Sequence, residues 1–147
     1  MAKKTGKRSA ASNDFLEPLA PTGVSASNVG TGRAFNNGAA TVTFSLPALS
    51  PAATSFTVTS SPGGYTGTGA SSPITVEGLQ SATAYTFTVT ATNAAGTSQA
   101  SAASASITAT TVPAQMSAPT PTAGVNQNSI AFSAAADGGS AITSFTV

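Results

Sequence analysis

Within Thr83-Ala84-Tyr85-Thr86-Phe87-Thr88-Val89-Thr90-Ala91-Thr92-Asn93, apolar and hydroxylated side chains alternate without a break from Tyr85 to Thr92. Successive side chains of a β-strand point to opposite faces, so Tyr85, Phe87, Val89 and Ala91 share one face and the threonines the other. Such a strand is buried on one side only. Working outward, the same pattern returns at short spacing. Upstream, Ile74-Thr75-Val76 forms a short strand closing at Glu77-Gly78-Leu79, and a weaker strand is expected around Tyr65–Gly69, after the turn Pro62-Gly63-Gly64. Phe56 and Val58 lie on another strand. Val42, Phe44 and Leu46 alternate with Thr41, Thr43 and Ser45, and Val24 and Ala26 share a face of the first strand. Downstream, Asn93-Ala94-Ala95-Gly96 is a turn, and a last strand is expected within Ser98–Thr110, with Ile107 its only large apolar residue. Short one-sided strands separated by turn residues predict an all-β domain of two facing antiparallel sheets.

Composition agrees. Charged residues are 6% of the 147 and apolar residues 40%. A disordered chain would carry more charge and fewer β-branched residues. Long helices would draw on Glu, Lys, Arg, Leu and Gln, whereas Thr, Val and aromatics suit strands. Thr54-Ser55-Phe56-Thr57-Val58 recurs as Thr143-Ser144-Phe145-Thr146-Val147, and Thr41-Val42-Thr43-Phe44 is echoed by Ser129-Ile130-Ala131-Phe132. A period near 90 residues, taken from this spacing, means tandem domains, not a solenoid of small units. The expected organisation is a flexible N-terminal arm at residues 1–20, a first domain at 21–112, a linker at 113–118 and the start of a second, incomplete domain at 119–147.

The stretch from Ser72 to Thr111 resembles the C-terminal half of a fibronectin type III domain. The family pattern is a short strand, Gly-Leu, a Thr-x-Tyr step, an alternating strand and Asn-x-x-Gly before the final strand. It stands here as Ile74-Thr75-Val76, Gly78-Leu79, Thr83-Ala84-Tyr85, Thr86–Ala91 and Asn93-Ala94-Ala95-Gly96. The first half departs from the family: Phe44, echoed by Phe132, stands where the second strand usually has Trp, and the loop before it is long. The resemblance covers about residues 20–112, then 117–147 as a partial repeat. It implies an immunoglobulin-like two-sheet β-sandwich in tandem repeat, with Phe44, Phe56, Leu79, Phe87 and Val89 in the core. Tyr85 would be a corner tyrosine whose hydroxyl bonds to backbone near Leu79.

The chain has no His and no Cys. Ser-His-Asp and Cys-His nucleophile systems are therefore impossible, and the common zinc ligand sets are absent. Of the four acids, only Asp14 and Glu17 are close in sequence, and both precede the sandwich. Gly63-Gly64 and Gly67-x-Gly69 precede no helix and lack the lysine of a phosphate loop. No enzymatic role, cofactor or metal is expected. No apolar stretch approaches membrane-span length, so no membrane insertion is expected either.

Charge is segregated. Lys3, Lys4, Lys7 and Arg8 lie in the first eight residues, and Arg33 alone faces Asp14, Glu17, Glu77 and Asp137 in the rest. The body therefore offers no basic face for specific nucleic-acid binding. The basic start lacks the apolar core of a signal peptide, so Sec export is not expected. Lys3, Lys4, Lys7 and Arg8 as electrostatic guides, with Phe15, Leu16 and Leu19 as apolar anchors, are the candidate docking residues for other structural proteins of a larger assembly. The competing reading is a solvated tail, or apolar residues packed onto the first domain. Arg33 and Phe35, in the Asn28–Gly38 loop, are a candidate contact site, against a Phe that folds back to cover its own sandwich edge.

Low-charge Thr/Ala/Gly-rich modules of this kind resemble those of phage virion proteins and bacterial surface proteins. The first expectation is a virion component (a fibre, decoration or tail-accessory protein) attached by its arm, with distal domains meeting a cell-surface glycan or protein. The alternative is a bacterial surface or secreted adhesin, or the spacer of a polysaccharide-acting enzyme. The family's integrin-type use has no Arg-Gly-Asp here to carry it.

Overall fold

The computed structural model describes residues 16–30 and 32–146. Ten strands follow in order: β1 Thr22–Asn28, β2 Gly38–Ser45, β3 Ser55–Ser61, β4 Thr66–Gly69, β5 Ile74–Leu79, β6 Thr83–Asn93, β7 Gly96–Thr97, β8 Ile107–Ala109, β9 Thr120–Gly124 and β10 Gln127–Ala131. No helix occurs among the described residues.

The alternation seen in sequence is what the sheets bury. One sheet has the order β1-β2-β5, and the other β4-β3-β6-β7, with β8 also paired to β6. All pairings are antiparallel. Phe44, Val42, Ile74, Val76 and Leu79 of the first sheet face Phe56, Val58, Tyr85, Phe87 and Val89 of the second. Phe44 and Phe56 meet across the gap with ring centroids 4.9 Å apart. Opposite Val58 on β3 stands Val89 on β6, and Phe56 stands opposite Ala91, so each inward side chain has a cross-strand neighbour on the same face. Tyr85 closes one end: the Gln80 backbone N–H donates to its phenolic oxygen at 3.0 Å, tying the start of β6 to the turn before it.

The last strand departs from the sequence expectation. Only Gly96–Thr97 and Ile107–Ala109 form regular ladder with β6. Between them the chain advances three residues for every two of β6. Ser98, Ser101 and Ser104 donate their backbone N–H groups to the carbonyls of Ala91, Val89 and Phe87 at 2.8, 2.9 and 2.9 Å. Each serine hydroxyl then accepts the N–H of the same β6 residue, at 3.0, 2.9 and 3.1 Å. Each hydroxyl also donates to the carbonyl of its own next residue at 2.8 Å. Two β6 residues span only about 6.8 Å, less than three extended residues need, so the segment must coil. The extra residues, such as Ala102 and Ala103, bulge into solvent. Only a short side chain that both accepts and donates can stand in for the missing strand carbonyls. The clue in the sequence was a period of three in serine, invisible to a search for alternating apolar residues.

Two stability measurements test this account. Phe87→Ala leaves a core cavity and should cost roughly 3–5 kcal/mol of unfolding free energy; an unchanged urea midpoint at constant m-value would remove Phe87 from the core. Ser101→Ala leaves the buried Val89 N–H without its hydroxyl acceptor and should cost about 1–3 kcal/mol. Exposed Ala102→Ser is the matched control and should leave the midpoint nearly unchanged.

Candidate functional site

The two ends of the sandwich carry the residues that sequence reading singled out. Lys3, Lys4, Lys7, Arg8 and Phe15 lie outside the described residues. From Leu16 onward the chain is laid against the first end. Asn93 Nδ2 donates to the Leu16 carbonyl at 2.8 Å and to the Ala52 carbonyl at 3.2 Å. The Asn93 side-chain oxygen meanwhile accepts the N–H groups of Ala95 and Gly96. Leu19 N–H donates to Ser50 Oγ at 2.9 Å, and Pro18 and Pro21 are buried. Of the arm expected at 1–20, residues 16–20 are thus tied to the domain through their backbone. Their large side chains are not: Leu16 is 61% exposed and Leu19 48%. Leu49, beside Ser50, is also exposed. Asn93 and Ser50, which pin this segment, were legible in sequence only as turn residues.

Arg33 and Phe35 lie at the other end. Arg33 Nε donates to the Asn37 carbonyl at 2.6 Å, and its Nη2 stands 3.1 Å from Glu77 Oε1. Its carbonyl accepts the N–H of Val112. Phe35 is half-buried. The guanidinium is thus engaged within its own domain, holding the loop and the strand edge together. Around it, Asn28 bonds Thr110 and Ser81 bonds both Asn36 and the fully buried Thr111.

Among the described residues no group of three or more His, Asp or Glu could hold a metal ion. No helix among them is long and apolar enough to cross a membrane. An apolar hollow lies beyond the sandwich, where Met116, Pro119, Ile130, Phe132, Ile142 and Phe145 line an open groove.

A two-sheet antiparallel sandwich of this topology defines an immunoglobulin-like fold, typically that of a structural or binding module. The chain belongs to the fibronectin type III family, whose domain model matches residues 19–107. Domains of this family are typically non-catalytic. Similar solved structures include one described as titin kinase and its flanking domains, at 26% identity over 61% of this chain and 17% of that one, TM-score 0.49. Another is the chicken CNTN1 FN1-FN3 domains, at 19% identity over 69% of this chain and 37% of that one, TM-score 0.49. A third is described as a myokine structure, at 17% identity over 63% and 97%, TM-score 0.44. The chain thus spans well under half the length of the first two. No curated protein matches it.

Arg33→Ala tests the reading of that side chain as a local brace. The exposed ion pair with Glu77 carries little net energy, so the substitution should lower stability by no more than about 1 kcal/mol. A larger drop in the urea midpoint would show that the guanidinium holds more than its loop.

Proposed function

We propose that this chain is a non-enzymatic structural component of a virion, attached through its N-terminal arm and projecting sandwich domains in tandem. The observation that carries the reading is the separation of roles along the chain. Four of the five cations lie in the first eight residues, ahead of a sandwich whose stability comes from apolar and hydroxyl packing and needs none of them. The pinned segment after them turns Leu16 and Leu19 outward instead of into the core. Docking an arm costs ordering entropy, so apolar anchors must offset it, while the charges contribute a salt-sensitive attraction.

The tandem reading draws support from the second aromatic pair. Phe132 and Phe145 stand 5.3 Å apart with planes at 54°, close to the 4.9 Å and 51° of Phe44 and Phe56, their counterparts by sequence. In the first unit that pair is buried by the facing strands; in residues 119–146 it is still 45% and 46% exposed. The hairpin β9–β10 has the place of β1–β2 with a shorter connection. Distal units of such an array would meet a cell-surface glycan or protein.

Deleting residues 2–15 and replacing Leu16 and Leu19 by Ser tests the anchoring, because it removes the cations and the apolar anchors but keeps the backbone that Asn93 and Ser50 hold. The truncated protein should unfold at the same midpoint as the full chain yet fail to co-sediment with virions. Equal incorporation of both proteins would refute the proposed role of the arm.

A further inference from the structure

We propose that the passage from the first unit to the second is a fixed joint, in which the turn Asp137–Ser140 locks onto the chain that leaves the sandwich. It builds on the reading of residues 119–147 as a second unit. It goes further by assigning the orientation of that unit to backbone contacts instead of a free linker.

The chain at 110–114 is bonded from two directions. On the side of the sandwich, Thr110 N–H donates to Asn28 Oδ1, Val112 N–H to the Arg33 carbonyl, and the hydroxyls of Thr111 and Ser81 meet at 2.6 Å. On the other side, Thr111 N–H donates to the Gly138 carbonyl and Ala114 N–H to the Ala136 carbonyl, both at 2.9 Å. Successive amides therefore alternate between the two units, and Thr111, fully buried, is clamped between them. A linker held by its own backbone on both sides cannot swivel without breaking these bonds, of which the one between the buried Thr111 and Gly138 is shielded from water.

The turn is shaped for this contact. Asp137 Oδ1 accepts the N–H of Gly139 at 2.9 Å, and the Asp137 carbonyl accepts that of Ser140. Gly138 and Gly139 take φ values of +69° and +83°, which side chains disfavour. Space is as decisive as conformation. A Cβ on Gly138 would stand 2.5 Å from the Val112 carbonyl oxygen and 2.7 Å from that of Thr111. One on Gly139 would stand 3.3 Å from the Ala82 backbone. The first unit thus presents the end around Ser81 and Ala82, and the second presses a side-chain-free turn against it. The first unit has a parallel device: the chain ahead of β1 is held by its own Ser50 through Leu19 N–H. Thr111 is the residue that both sides of the joint share, through its hydroxyl to Ser81 and its N–H to Gly138.

Amide hydrogen exchange on the full chain tests the joint. In the native protein the Thr111, Val112 and Ala114 amides, all hydrogen-bonded, should exchange slowly. Gly138→Val should accelerate exchange at Thr111 and Ala114 by at least about tenfold while Val89, deep in the sandwich, keeps its protection. Asp137→Ala, which removes only the carboxylate that holds the turn, should give a smaller acceleration at the same two amides. Unprotected exchange of Thr111 and Ala114 in the native chain, or no change in Gly138→Val, would overturn the proposal. These amides report docking whether or not residues 119–147 belong to a second sandwich, so failure of the tandem reading would show elsewhere.

Discussion

Phe87 and Val89 lie fully buried near the middle of β6, a strand whose two backbone edges are both bonded, to β3 on one side and to three serines on the other. The rest of the first unit depends on that arrangement. An apolar face gains by burial only if the backbone that carries it is not left with unpaired N–H and C=O groups, each of which would cost as much as a methylene or two contributes. β3 satisfies half of these groups by regular pairing. A second regular strand would satisfy the other half. The serine segment does so instead with hydroxyls, at the cost of an extra residue in each step.

That substitution has a consequence for the edge. A straight outer strand presents a row of free donors and acceptors to any other chain. Here the segment from Ser98 to Ser106 coils, the hydroxyls of Ser98, Ser101 and Ser104 turn inward, and Gln99 and small alanines occupy the outward bulges. The sheet ends on a surface that does not offer a regular ladder for another strand. The edge is protected in this way with neither charge nor proline at that position.

The two ends of the sandwich are built on one plan. At each, short polar side chains from strand ends and turns hold a passing segment: Asn93 and Ser50 bond the backbone of residues 16–19, Asn28 bonds the Thr110 N–H and hydroxyl, and the Ser81 hydroxyl bonds that of Thr111. Amides and hydroxyls serve because they donate and accept without the desolvation cost of charge. The low charge of the chain is thus matched by what its ends require. Arg33, the one cation of the described residues, is spent bracing a loop against Glu77.

The strand faces, the core and the corner tyrosine were legible in sequence because each follows from local rules. Alternation assigns Phe44, Phe56, Phe87 and Val89 to one side of their strands whatever the neighbours are, and Gly78-Leu79 with Tyr85 matches the corner pattern of the family it resembles. The split last strand was not legible in the same way. Whether Ser98, Ser101 and Ser104 face solvent or replace a ladder depends on the free edge of β6, which exists only once the sheet has formed. Nor could sequence place Arg33, whose partners Asn37 and Glu77 meet only through the pairing of β2 with β5. Gly138 and Gly139 read as a turn and no more. That the turn must be bare of side chains because two carbonyls of Thr111 and Val112 press on it is a fact of tertiary approach, set by distance in space and not by any neighbour in sequence.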